Sequence, residues 1–114
     1  MERRDNLIVQ LTFEFALRII AFTEILEEKR RFNMANQLFR SGTSIGANVR
    51  EAQGCESKAD FIHKMKVAYK EGEETKYWLE LCQQSQNYPN PNDLLAKVES
   101  ILKVLGKIIS SSKK

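Results

Sequence analysis

This chain has one histidine, two cysteines, two prolines and no long apolar run, and each scarcity closes a class of function. The single histidine, His63, makes Asp60-x-x-His63 only half of the paired Glu-x-x-His arrangement that metal centres in helical bundles require, so no metal and no other cofactor is expected. No Ser–His or Cys–His pair sits in a recognisable catalytic setting, and no Gly-x-x-x-x-Gly-Lys loop is present to cradle a phosphate. The chain is therefore expected not to be an enzyme. Cys55 and Cys82 lack the spacing of a metal or redox motif and read as free thiols, with Cys82 on an apolar helical stripe. No stretch approaches the roughly 18 apolar residues of a membrane span. The charged first residues also lack the apolar region and cleavage site of a signal peptide. A cytoplasmic protein without membrane contact is expected.

What is present fits a globular domain. A length of 114 residues suits one domain, spanning 1–114, with a core that needs no covalent staples. A hydrophobic fraction of 42% and a charged fraction of 29% argue against disorder. Residues 1–57 carry eight basic and eight acidic side chains, whereas residues 58–114 carry ten and seven, so the net charge of +3 belongs to the second half. A mild basic bias of this kind is compatible with a phosphate-rich partner.

Apolar residues recur at three- and four-residue steps in four segments, which predicts four helices. The first runs from Asn6 to Glu28 with Ile8, Leu11, Phe15, Ile19, Phe22 and Leu26 facing the core. Phe13, Leu17 and Ile20 form a second apolar patch on its far side, so this helix needs a further partner. The second, Phe32 to Gly54, ends at a glycine expected to act as a left-handed cap. The third, Ser57 to Ser85, starts at a serine cap followed by Asp60 and carries the stripe Phe61, Met65, Ala68, Gly72, Thr75, Leu79 and Cys82. The fourth, Pro91 to Ser110, follows the turn Asn87-Tyr88-Pro89-Asn90, with Asn90 as its cap and a frayed tail after it. Short breaks between long helices favour antiparallel neighbours. The fold expected is all-α, an up-down-up-down four-helix bundle.

Helix two holds the most distinctive segment, Arg40-Ser41-Gly42-Thr43-Ser44-Ile45-Gly46-Ala47-Asn48-Val49-Arg50-Glu51. Two glycines within a helix cost about 1 kcal/mol each relative to alanine, and close approach of a neighbouring backbone is the expected compensation. With Glu74, Tyr77, Trp78 and Leu79 further along, this RS-x-TSIGAN-x-x-E pattern resembles the 23S rRNA-intervening sequence proteins, also called the four-helix-bundle protein family. That resemblance implies a ring-shaped homopentamer. It implies a role linked to nucleic acid, since the family takes its name from reading frames inside insertions of bacterial large-subunit ribosomal RNA. It also extends to accessory proteins of diversity-generating retroelements, which partner a reverse transcriptase and RNA. The self-association expected from Phe13, Leu17 and Ile20 agrees with an oligomer without counting its subunits.

Two sets of polar residues remain. Ser41, Ser44, Asn48 and Glu51 make a polar edge that reads as a buried network satisfied by Glu74 and Tyr77 of helix three, with a binding groove as the alternative. The basic residues Lys66, Lys70 and His63 on helix three, Arg30 and Arg31 at a bundle end, and Lys103 and Lys107 on helix four are the candidate contacts to RNA or DNA. Nothing suggests base-specific reading. A protein-interaction scaffold with no nucleic-acid ligand is the competing reading.

Overall fold

Side chains help to start two of the helices, although Pro91 and not Asn90 takes the cap position of the fourth, which begins at Asn92. Ser57 Oγ accepts the Asp60 amide at 3.0 Å, and Asn90 Oδ1 accepts the Asn92 amide at 2.9 Å, so each satisfies a donor that the first helical turn would leave free. At the other end of two helices the chain turns through left-handed residues, Arg30 at φ 62° and Asn87 at φ 64°. Around Arg30, the Arg31 amide donates to the Leu26 carbonyl at 2.8 Å and the Arg30 amide to Glu27 at 2.9 Å, which closes the last turn. The computed structural model describes residues 3–113, with side chains from Leu7 onward. Among them are four helices and no strand: α1 (Arg3–Glu28), α2 (Phe32–Ala52), α3 (Lys58–Gln84) and α4 (Asn92–Ser112).

The differences from the expected limits have local causes. Gly54 is not a left-handed cap: no glycine has positive φ among the described residues, and α2 closes with the Gln53 and Gly54 amides on the Arg50 and Glu51 carbonyls. The serine-rich tail continues α4 to Ser112 instead of fraying at Ser110, while Lys114 lies outside the described residues.

Cross-helix contacts fix the direction of each neighbour. Gln83 meets Asn92, Lys76 meets Glu99 and Tyr69 packs at Gly106, so α4 runs back along α3. Ser41 with Thr75 and Glu51 with Lys64 show the same reversal between α2 and α3, as do Gly42 with Ile19 and Gly46 with Thr12 between α2 and α1. Helices of 26 and 27 residues at about 1.5 Å rise make rods of about 40 Å, which accounts for the 46 × 20 × 19 Å extents.

The core lies along the stripes that the periodicity picked out. Ile8, Phe15, Ile19, Leu38, Ile45, Val49, Met65, Leu79, Val98 and Leu105 are wholly or almost wholly buried. Three glycines set helix separation. A β-carbon at Gly42 would come 2.8 Å from Ile19 Cγ1, one at Gly46 3.2 Å from the Thr12 carbonyl oxygen, and one at Gly72 2.8 Å from Leu102 Cδ2. The helix-propensity cost of these glycines is thus offset by close packing. Thr12 and Thr23 are buried too, with their hydroxyls donating to the Ile8 carbonyl at 2.8 Å and the Ile20 carbonyl at 2.9 Å of their own helix.

Candidate functional site

The antiparallel register of α3 and α4 brings Lys66, Tyr69 and Lys70 opposite Gly106, Ile109, Ser110 and Lys113. Together they line a groove of about 460 Å³ with a largely apolar floor. Lys103 and Lys107 are exposed on the outer face of α4 beside it, without lining it. None of these five lysines has an ion-pair partner among the described residues. One turn beyond Lys70, the exposed Glu73 and then the Lys76–Glu99 pair at 3.4 Å end the positive stretch. The groove is therefore a local cationic patch at the carboxy-terminal end of α4.

Elsewhere most cations are already engaged. Arg18 and Lys97 meet Asp93 at 3.2 and 4.0 Å. Arg40 bridges α2 to Glu71 and Glu74 of α3. Lys64 donates to Glu51 at 2.7 Å, and that hydrogen bond, with the carboxylate's charge, raises the Lys64 pKa above the ordinary lysine value. Arg50 stacks over the Phe13 ring at 5.5 Å.

Two of the candidate phosphate contacts lie at a bundle end, as expected, and apart from the groove. Arg30 and Arg31 form the α1–α2 turn, at the end of the bundle away from the groove. Arg30 lies over Phe32 at 5.8 Å and Arg31 over Tyr88 at 4.9 Å, tying the α1–α2 turn to the α3–α4 turn. Arg31 Nε is buried with no hydrogen-bond partner among the described residues, so the ring face is its main contact. His63 is exposed on α3 one turn before Lys66 and does not line the groove.

The expected polar network is mostly dispersed. Ser44 donates to the Arg40 carbonyl at 2.6 Å and the Asn48 amide to the Ser44 carbonyl at 2.9 Å, both within α2, because a helical side chain finds its own preceding turn first. Glu51 pairs with Lys64 at the surface. Only Ser41 enters the core, where its hydroxyl and that of Thr75 hydrogen-bond at 2.9 Å. Glu74 accepts from Trp78 Nε1 at 3.0 Å and from Arg40, and Tyr77 is 55% exposed, edge-on to Trp78 with ring centres 5.3 Å apart. Arg40, Thr75 and Trp78 are the partners that sequence reasoning did not supply.

A second surface feature spans α1 and α2. Phe13 is 50% exposed, Leu17 53% and Phe39 50%, whereas Ile20 is half-buried in a cleft with Thr23, Ala35 and Phe39. The expected patch thus loses part of Ile20 and gains Phe39. No group of three or more potential metal ligands occurs among the described residues, and no described helix is long and apolar enough to cross a membrane.

The family model described as 23S rRNA-intervening sequence protein matches residues 4–110. The chain is also similar to a crystal structure of a protein of unknown function from the S23 ribosomal protein family of Bacteroides thetaiotaomicron. The two are 40% identical, the match covers 94% of this chain and 98% of that chain, and the TM-score is 0.89. No curated protein matches.

Proposed function

The chain belongs to the 23S rRNA-intervening sequence protein family, and from that premise we propose that it is a non-catalytic, homo-oligomeric protein that binds nucleic acid through the α3–α4 groove. The observation that carries this reading is the set of lysines without ion pairs, Lys66, Lys70 and Lys113 in the groove and Lys103 and Lys107 beside it, on a protein whose other cations are mostly paired or stacked. Phosphates attract such side chains by releasing condensed counterions. The family's description, which links it to ribosomal RNA, supports the same choice of ligand.

The oligomer rests on Phe13, Leu17 and Phe39, large apolar side chains about half exposed on α1 and α2, since exposed apolar surface of this kind usually marks an interface. We take the assembly to be a homopentamer, as the resemblance implies. A ring repeats the patch and lets one strand engage several copies, which raises avidity without new contacts.

Fluorescence anisotropy with labelled RNA and DNA across a salt series tests the reading. Binding should weaken steeply with salt, and Lys66→Glu with Lys70→Glu should weaken it for every sequence and flatten the salt slope. Absence of binding by the intact oligomer at low salt would leave a protein-interaction scaffold as the better description.

A further inference from the structure

Gly106 is the one helical glycine described here that packing does not require. A β-carbon there would meet only Tyr69 Cε2, at 3.8 Å, an ordinary van der Waals contact, whereas Gly42, Gly46 and Gly72 sit under contacts of 2.8 to 3.2 Å. Glycine inside a helix costs about 1 kcal/mol against alanine, so Gly106 lowers stability without closing a helix contact. At this position no side chain stands over the partly buried Tyr69 ring, which lines the lysine-bearing groove with Gly106 and Ile109. A surface that bound phosphate alone would need neither an aromatic ring nor an apolar floor.

Resting on the nucleic-acid reading above, we propose that the groove selects single strands: an unpaired base lies in the groove against the Tyr69 ring, over Gly106 and beside Ile109, while flanking phosphates meet Lys66, Lys70 and Lys113. Lys66 and Lys70 are one turn apart, about 6 Å along the helix axis, so they follow a strand running lengthwise. Lys113 stands on the opposite bank, across the floor. The Tyr69 hydroxyl has no hydrogen-bond partner among the described residues and is free to meet a base edge. A duplex keeps its bases stacked inside and its width prevents entry between two packed helices, so it reaches the lysines but not the floor. Aromatic stacking serves any base, which agrees with the absence of a base-reading motif.

The test compares a short labelled oligothymidine, an abasic strand of equal length and a duplex, with wild type, Tyr69→Leu and Gly106→Leu. Wild type should prefer oligothymidine to the abasic strand. Tyr69→Leu should weaken oligothymidine binding by about 5- to 150-fold, the range measured for loss of one stacking platform, and leave the abasic strand and duplex unchanged. Gly106→Leu should give the same selective loss by filling the floor, while melting no lower than wild type, which separates a blocked groove from a damaged fold. Equal affinity of wild type for the abasic strand and oligothymidine, or no effect of either substitution, would overturn the proposal and leave a phosphate-binding surface. Failure to bind any of the three at low salt would overturn both this proposal and the reading beneath it. Binding of polyglutamate in place of every strand would assign the groove to an acidic protein segment.

Discussion

Gly46 of α2 lies directly on the backbone of Thr12 in α1, where a β-carbon would stand 3.2 Å from the carbonyl oxygen and 3.4 Å from its carbon. Backbone cannot rotate aside as a side-chain tip can. The spacing of α1 and α2 is therefore set by the absence of a side chain at this position, and the same holds at Gly42 against the fully buried Ile19.

Gly46→Leu and Gly42→Ala should each lower stability, because overpacking costs about 1–3 kcal/mol and exceeds the helix-propensity gain of up to about 1 kcal/mol. Gly54→Ala is the control. Gly54 is exposed, its φ is not positive and a β-carbon would meet only the Glu51 carbonyl at 3.8 Å, so alanine should stabilise by about 0.4–1 kcal/mol. Urea unfolding gives all three, and a raised midpoint for Gly46→Leu would refute the contact.

The Ser41–Thr75 pair should behave non-additively. Thr75→Val strands the buried Ser41 hydroxyl and should cost about 1–3 kcal/mol. Adding Ser41→Ala removes the stranded group, so the double variant should be more stable than the sum of the single effects implies. Additive losses in a thermodynamic cycle would show that the two hydroxyls do not depend on each other.

Leu17→Glu should dissociate the oligomer and leave the far-ultraviolet helical signal largely intact, since Leu17 lies outside the core at 53% exposure. Light scattering after size exclusion reads the mass. A wild-type protein that elutes as a monomer at micromolar concentration would dispose of the assembly itself.

The two thiols should react at very different rates. Burial pushes the Cys82 pKa up to about 11, and only the thiolate is a nucleophile. At pH 8 about one Cys82 in a thousand would be ionised, whereas Cys55 is only half-buried. Iodoacetamide followed by mass spectrometry should modify Cys55 alone in the native protein and both sites in urea. The same shift has a sign for stability. Between the ordinary thiol pKa and about 11 the unfolded chain holds fewer protons at this site, so the Cys82 contribution falls as pH rises through that window.

Much of the fold was written in spacing. The stripe Ala35, Leu38, Gly42, Ile45, Val49 and Ala52 is buried throughout, and in α3 the same is true of Met65, Ala68, Gly72, Thr75, Leu79 and Cys82, with Phe61 at its start only partly buried. Periodicity names a face, however, and not the partner across it. Ser41 and Thr75 are joined through the α2–α3 turn, 34 positions apart, and no local signal picks Thr75 over Glu74 or Tyr77. Arg31 was placed correctly at a bundle end, but its stacking on Tyr88, 57 positions away, has no local signal. The groove was half legible: Lys66 and Lys70 stood out, while Tyr69, Gly106, Ile109 and Lys113 needed the register of two helices about the Asn87–Asn90 turn. Gln83 with Asn92 and Lys76 with Glu99 share the register that opposes Tyr69 to Gly106, and counting outward from the turn would have placed Tyr69 two residues away, opposite Ile108.

The clasp of Arg31 on Tyr88 also decides where this protein can be handled. Both turns that it joins are at one end of the bundle, and the groove is near the other, where α4 finishes at Ser112. From Lys70 to the end of α3 at Gln84 is about 20 Å of helix. A fluorophore or affinity tag attached after Lys113 would hang over the lysines and compete with whatever they hold, giving a false negative in any binding assay. One introduced at Asn87 would leave the groove open, provided that the replacement tolerates a left-handed backbone.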